Sequence, residues 1–251
     1  MYKRQVSERL SLVQAQLPAS VIPILGPDAT GVGHIYMYTL ESDVHTLTEL
    51  RSLQDFTVRY ALQSVPGVAE VASVGGYVKT YEVILDPQKL EQFNLRISKV
   101  MDAIRMANNN VSGKVIDTGN REVSIQGVGF FEKTSEIAST VIGTRADGQA
   151  LTVTDVGEVR ESGKFRRAIL ANQAEEKVGG IIVMRYGENP LAVIEAVKDR
   201  IASIEESLPT GVTIVPFYDR TDLILSAIDT LRSVLTQELI ITTIILGLFL
   251  W

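Results

Sequence analysis

Apolar residues recur along this chain in two alternating rhythms, and the places where one gives way to the other predict its elements. Val6, Leu10, Val13 and Leu17 are spaced by four, three and four, the stripe of an amphipathic helix already under way at the first residue. That helix stops at Leu17-Pro18 and leads into a short β-rich run through Val21. The same grammar returns in "DRIASIEESLPTGVTIVPFYD" (199–219), with the stop at Leu208-Pro209 and the strand entered through Val212. A third copy, in 50–76, stops at Val65-Pro66 before a strand over 68–74. Proline lacks the amide proton that a helix needs and pushes the residue before it out of the helical region, so each stop has a physical cause.

Two of these units gain a strand upstream. "HIYMYTL" (34–40) precedes a helix over 46–64, and "VGGIIVMRYG" (178–187) precedes a helix over 190–207 that opens with Asn189 as N-cap and Pro190 in its first turn. Two βαβ units of this kind predict one four-stranded sheet with two helices on one face, a ferredoxin-like split βαβ, and hence an α+β fold class. Residues 1–25 then look like the last αβ segment of another such subdomain whose beginning lies upstream.

Residues 76–162 interrupt the two halves. "YVKTYEVILDP" is β-rich, Asp86-Pro87 opens a helical turn, and Ser98 is expected to cap a helix carrying Val100, Met101, Ile104 and Ala107 on one face. In "NNNVSGKVIDTGNREVSIQGVGFF", Asp117-Thr118-Gly119-Asn120 supplies turn chemistry between two β-prone arms, which predicts a hairpin. Its arms carry few large apolar residues and several glycines, so it is expected to reach toward a neighbour. A helix near 134–140 and a second hairpin turning at Asp147-Gly148 close the insert.

From 222 onward the pattern changes again. Ile224, Ile228, Leu231 and Leu235 line one side of a helix, and after Glu238 every face becomes apolar through Trp251. A surface helix keeps a polar side, and a bilayer span needs roughly 20 apolar residues, so this stretch reads as the start of a span that continues beyond the sequence.

Composition narrows the function more than the fold. The chain of 251 residues is 45% hydrophobic and 22% charged, enough to build more than one core. Its net charge of -6 and the lack of a basic cluster exclude a nucleic-acid footprint. With no cysteine, disulfides, thiolate metal sites and cysteine nucleophiles are excluded.

Candidate chemistry is sparse. His34 and His45 are read as surface or capping residues, and Met37, Met101, Met106 and Met184 as core filler. The glycine pairs at 75–76 and 179–180 lack the spacing of a dinucleotide loop, and "SGKF" (162–165) is not a phosphate-binding loop. Glu175-Glu176 are placed in a turn, Glu205-Glu206 on a solvated helix end, and Asp219-Arg220 with Asp222 as the cap of the last helix. No catalytic residue, metal ligand or cofactor is assigned, and the chain is not read as an enzyme.

The blocks "GPDATGVGHIYMYTL", "VPGVAEVASVGGYVKTYEVILDPQKL", "LPTGVTIVPFYDRTDLI" and "LGLFLW", in this order, resemble the heavy-metal efflux branch of the resistance-nodulation-division transporters, nearest to its copper/silver exporters. The resemblance implies the first periplasmic loop of a proton-driven inner-membrane pump. Residues 1–32 would be the C-terminal part of a first porter subdomain, 33–75 and 163–218 the halves of a second, 76–162 a docking insert, and 222–251 the helix leading into a truncated transmembrane span. It also implies a homotrimer in which the insert's hairpin enters the adjacent protomer, placing Gly113, Lys114, Asp117, Gly119, Asn120 and Arg121 on the docking arm. Implied partners are a periplasmic adaptor (membrane fusion protein), an outer-membrane channel, membrane lipid at the C-terminus and the transported metal cation; no nucleic acid is expected. The family's proton-relay and metal-binding residues belong to later segments. The rival reading from the residues is a free-standing ferredoxin-like ligand-binding or regulatory protein with a short C-terminal anchor; a hydrolase would need a nucleophile-base pair.

Overall fold

The computed structural model describes residues 2–14, 16–18, 21–23, 25–26, 28–119, 121–145, 147–166 and 168–250. Along the chain run α1 (Tyr2–Gln14), β1 (His34–Glu41), α2 (Leu47–Leu53), a π-helical turn (Gln54–Val58) continuing into α3 (Arg59–Gln63), and β2 (Val68–Gly75). Then follow β3 (Lys79–Leu85), α4 (Pro87–Gln92), α5 (Ile97–Ala107), β4 (Val111–Asp117), β5 (Glu122–Gly127), α6 (Thr134–Ala138), β6 (Val141–Thr144), β7 (Ala150–Thr152), α7 (Val153–Val156) and β8 (Gly157–Gly163). The last elements are β9 (Leu170–Asn172), β10 (Glu175–Met184), α8 (Pro190–Glu205), β11 (Thr213–Asp219) and α9 (Thr221–Leu250). They divide into two compact units, Met1–Gly76 with Arg166–Trp251, and Tyr77–Phe165.

The first unit is built on an antiparallel sheet in the order β11-β1-β10-β2, with β9 added beside the start of β10. Each helical crossover therefore skips a strand: α2–α3 joins β1 to β2 across β10, and α8 joins β10 to β11 across β1. The core lies between the sheet and these helices. Tyr36, Tyr38 and Leu40 of β1, Val178 and Ile182 of β10, and Val193, Ile194, Val197, Ile201 and Ile204 of α8 are all buried there.

Local chemistry sets the helix starts. Thr46 and Glu49 form a reciprocal capping box at α2, with the Thr46 N–H donating to Glu49 Oε2 at 2.8 Å. Asn189 caps α8 through the Leu191 N–H at 3.0 Å, with Pro190 in the first turn, as the sequence predicts.

The glycine pair Gly179-Gly180 has a packing cause. Gly180 lies opposite Tyr38, whose ring covers it; a Cβ there would fall 2.5 Å from the ring's Cζ. The vacant space lets the Tyr38 hydroxyl reach Gln54 in the π-helical turn. Within the turn, Gln54 and Val58 both face the core while Phe56 is exposed.

In the second unit, β3 and β8 pair along their whole length, from Lys79↔Gly163 to Leu85↔Gly157. Leu90 of α4, Val100 of α5, Ile142, Leu151, Val153 and Val156 form its core. Asp86 caps α4, accepting the Gln88 N–H at 2.9 Å.

Four expectations need correction. Among the described residues no strand forms after Val21; Val21, Ile22 and Leu25 are exposed, because a strand needs a partner and none of the described strands runs beside them. Ser98 lies inside α5, whose N-cap is Arg96. The packed face of that helix is Val100, Ala103 and Ile104, while Met101 and Met106 are exposed, so those two methionines are not core filler. Finally, the arm after Asp147-Gly148 breaks at Thr152 into the single turn α7, fixed by the Thr152–Asp155 capping box, before β8 begins.

Candidate functional site

The β4–β5 hairpin is the most exposed folded feature of the second unit: every residue of both strands is solvent-accessible. Its base is clamped by the asparagine run that precedes it. Asn110 Oδ1 accepts from the Gly129 N–H at 2.8 Å and the Phe130 N–H at 3.3 Å, and Asn108 Oδ1 accepts from the Phe131 N–H at 3.0 Å. These side chains satisfy backbone donors where the returning strand leaves the ladder.

Midway, the register slips between Ser112 and Val115, so Gly113 and Lys114 stand against Ile125 alone, a β-bulge. Gly113 is required by proximity: a Cβ there would sit 2.8 Å from the Ile125 carbonyl oxygen. At the tip, Asp117 Oδ1 accepts the Gly119 N–H at 2.8 Å, and the Arg121 carbonyl accepts both the Thr118 N–H at 3.0 Å and the Thr118 hydroxyl at 2.9 Å. Gly119 has φ of +85°, a left-handed conformation that suits glycine. Thus Gly113 and Lys114 shape the shaft, and Asp117, Gly119 and Arg121 shape the tip; Asn120 lies outside the described residues.

The pairings Val111↔Gly127 and Ile116↔Val123 place Val111, Ile116, Val123 and Ile125 on one face of the ribbon. Ser112, Val115, Ser124 and Gln126 share the other. The first face carries four β-branched apolar side chains, between 45% and 61% exposed. The arm is therefore richer in apolar contact surface than its composition predicts, because the bulge gathers these residues onto one side. The clamping asparagines Asn108 and Asn110 were the residues missed; the run "NNN" before a β-prone arm was their only signal.

The second candidate feature is α9. It has 30 residues, about 45 Å at 1.5 Å per residue, and it is long and apolar enough to cross a membrane, with none of its residues buried. Thr230, Thr236 and Thr243 donate their hydroxyls to the carbonyls of Ser226, Arg232 and Leu239, four residues back, so these polar groups are satisfied within the helix. Asp219 holds its first turn, accepting the Thr221 N–H at 2.8 Å.

His34 is exposed at the start of β1; the His45 N–H donates to Ser42 Oγ at 3.2 Å, and its Nδ1 lies 3.7 Å from Glu49. Glu175 and Glu176 open β10 instead of lying in a turn: Lys177 pairs with Glu175 at 3.0 Å, and Arg166 binds both oxygens of Glu176 at 2.6 and 2.7 Å. That Arg166 fork holds the Glu176 carboxyl below its ordinary pKa. Glu205 is not idle at a solvated end, since it accepts the Ile214 N–H at 3.1 Å. Among the described residues no three His, Asp or Glu side chains converge as a metal site.

An exposed β-hairpin and a long apolar helix, carried by two units of mixed helix and sheet, are the features that set this chain apart. Residues 2–251 match the model of the AcrB/AcrD/AcrF family, and the chain belongs to that family. Within it, the chain is similar to heavy-metal efflux members. It is 41% identical over 99% of its length to the cation efflux system protein CusA of Escherichia coli strain K12, covering 24% of that protein. It is 39% identical to the putative cation efflux system protein SilA of Salmonella typhimurium, with the same coverage of 99% and 24%. A crystal structure of a heavy metal efflux pump superposes with a TM-score of 0.81 at 29% identity, over 92% of this chain and 23% of that one. The chain thus spans about a quarter of the length of these relatives.

Proposed function

We propose that this chain is the porter and docking portion of a proton-driven heavy-metal cation efflux pump whose cargo is copper or silver. The observation that carries the reading is similarity along 99% of the chain to a cation efflux protein at 41% identity. The metal itself rests on similarity within the heavy-metal efflux branch alone, where the chain stands nearest to the copper/silver exporters.

In this reading residues 33–75 and 163–218 form a ferredoxin-like split βαβ subdomain, whose strands and helices lie in the first unit. Its sheet order supports this: with the short β9 set aside, the four main strands run fourth, first, third, second. Residues 76–162 are the docking insert, 1–32 belong to a preceding porter subdomain, and 222–251 enter the inner membrane, with the two units in the periplasm. The β4–β5 arm, which includes Gly113, Lys114, Asp117, Gly119, Asn120 and Arg121 in its sequence, enters a neighbouring protomer of a homotrimer through its apolar face. The same pump engages a periplasmic adaptor and an outer-membrane channel.

The test is expression of the intact protein in a bacterial strain stripped of its copper and silver exporters. Restored growth on both metals is expected, and sensitivity unchanged from the empty vector would overturn the cargo. Deleting 111–127 should lower the trimer yield in chemical crosslinking; an undiminished trimer would remove the arm's role.

A further inference from the structure

Asp219 does two things at the point where β11 ends and α9 begins. One carboxylate oxygen, Oδ1, accepts the Thr221 N–H at 2.8 Å and closes the first turn of α9. The other, Oδ2, lies 2.5 Å from Nζ of Lys198 on α8. One carboxylate therefore ties the helix that leaves the unit to the helix that packs on its sheet. Both partners are rooted: α8 buries Val193, Ile194, Val197, Ile201 and Ile204, and Asp219 is in register with Tyr36 of β1.

The next residue adds a second tie. The Arg220 N–H donates to the Ile35 carbonyl at 3.1 Å, extending the β1–β11 ladder past its end, and its guanidinium donates to the Val32 carbonyl. Ile224, one turn into α9, packs against the core of the unit. Beyond Ile224, every described residue of α9 is exposed. The contacts described for this helix of about 45 Å thus cluster at its first turn.

From this geometry we infer that Lys198 and Asp219 form a latch that fixes the direction in which α9 leaves the first unit. The capping bond alone closes the turn but leaves the helix able to swing about the strand end. The pair to Lys198 supplies a lateral constraint from a different element. Arg220 and Ile224 hold the junction's position, and Lys198 sets its azimuth. This role is independent of the cargo and of the arm.

The experiment is pulsed electron-spin distance measurement on the intact protein in lipid nanodiscs, with labels at Glu195 on α8 and Leu225 on α9. A control pair at Glu195 and Gln63 reports the unit alone. The wild-type Glu195–Leu225 distribution is expected to be narrow. Lys198→Met and Asp219→Asn, which keeps the capping oxygen but not the charge, should both broaden it while the control stays narrow; Lys198→Arg should restore the wild-type width. A Lys198→Met distribution as narrow as wild type would overturn the latch. So would broadening of the control pair as well, because the ion pair would then hold the unit itself and not the exit of α9.

Discussion

Tyr38 donates its hydroxyl to Gln54 Oε1 at 3.0 Å, and both side chains are fully buried. The bond bridges β1 and the π-helical turn, and Gln54 Nε2 continues it to Ser73 Oγ on β2 at 3.4 Å. Burial of the phenol raises its pKa strongly, so it stays a neutral donor. Tyr38→Phe leaves a buried amide oxygen without its donor and should cost about 1–3 kcal/mol in a urea unfolding titration. The double variant Tyr38→Phe/Gln54→Leu should recover much of that loss. If it is instead additive, the polar pair is not what the two positions share.

Gly180 makes the same bridge possible and gives a separate test. A Cβ at 180 meets the Tyr38 ring, and the ring is closed in by the core. Gly180→Ala should lower the melting temperature more than Gly187→Ser, since nothing lies within 4 Å of a Cβ at Gly187 even though its φ of +88° strains a side chain. Equal losses would show that backbone conformation, and not the ring, explains the glycine.

What the sequence made legible follows from how local each signal is. The Asn189-Pro190 helix start and the Asp117 and Asp147 turns are written in one to four adjacent residues and appear where expected, while α8 and α3 end two to three residues before their Leu-Pro and Val-Pro stops. The π-helical turn was invisible, because its signature is a polar residue, Gln54, buried against a partner sixteen positions earlier. The strand expected after Val21, which does not form among the described residues, is the converse case: local β-propensity was present, but the pairing that makes a strand is a long-range matter. The arm's apolar face was missed for a similar reason. Counting residues shows few large ones, and only the bulge at Gly113 and Lys114 brings Val111 into line with Ile116, Val123 and Ile125.

The asparagine clamp predicts a local effect. Asn110→Ala removes the acceptor of two backbone N–H groups at the base of the arm, and Asn108→Ala removes one. Hydrogen exchange at Gly129, Phe130 and Phe131 should accelerate in these variants, with the Leu90–Val156 core unchanged. Acceleration throughout the unit would mean that the asparagines support the whole insert.

Asp155 predicts a pH dependence. The Thr152 N–H, with the Thr152 hydroxyl and Arg145 at 2.5 Å, holds its carboxyl below the usual value. A carboxyl lowered by folding stabilises the native state above its unfolded pKa, about 3.9, and that contribution fades as pH falls through the lower folded value. The second unit should therefore lose stability below about pH 4, and Asp155→Asn should flatten that part of the curve while lowering stability at neutral pH. A variant whose acid slope matches wild type would show that other carboxylates dominate.

The last prediction concerns α9, whose stretch after Glu238 carries no charge. If this part of the helix enters a bilayer, the cost of a charge should depend on depth. An arginine near the centre of a span costs about 2.5–3.5 kcal/mol on insertion scales, whereas a residue near the interface can extend its charge to water. Ile244→Arg should therefore reduce insertion of α9 in a translocon assay, and Leu235→Arg, beside Glu238 and Arg232, should change it little. A helix lying in solvent or against protein surface predicts the opposite ranking. Leu235 lines the amphipathic half with Ile224, Ile228 and Leu231, and an arginine there would then interrupt the face that packs. Equal tolerance at both positions would exclude the membrane reading for this helix, whatever the family of the chain.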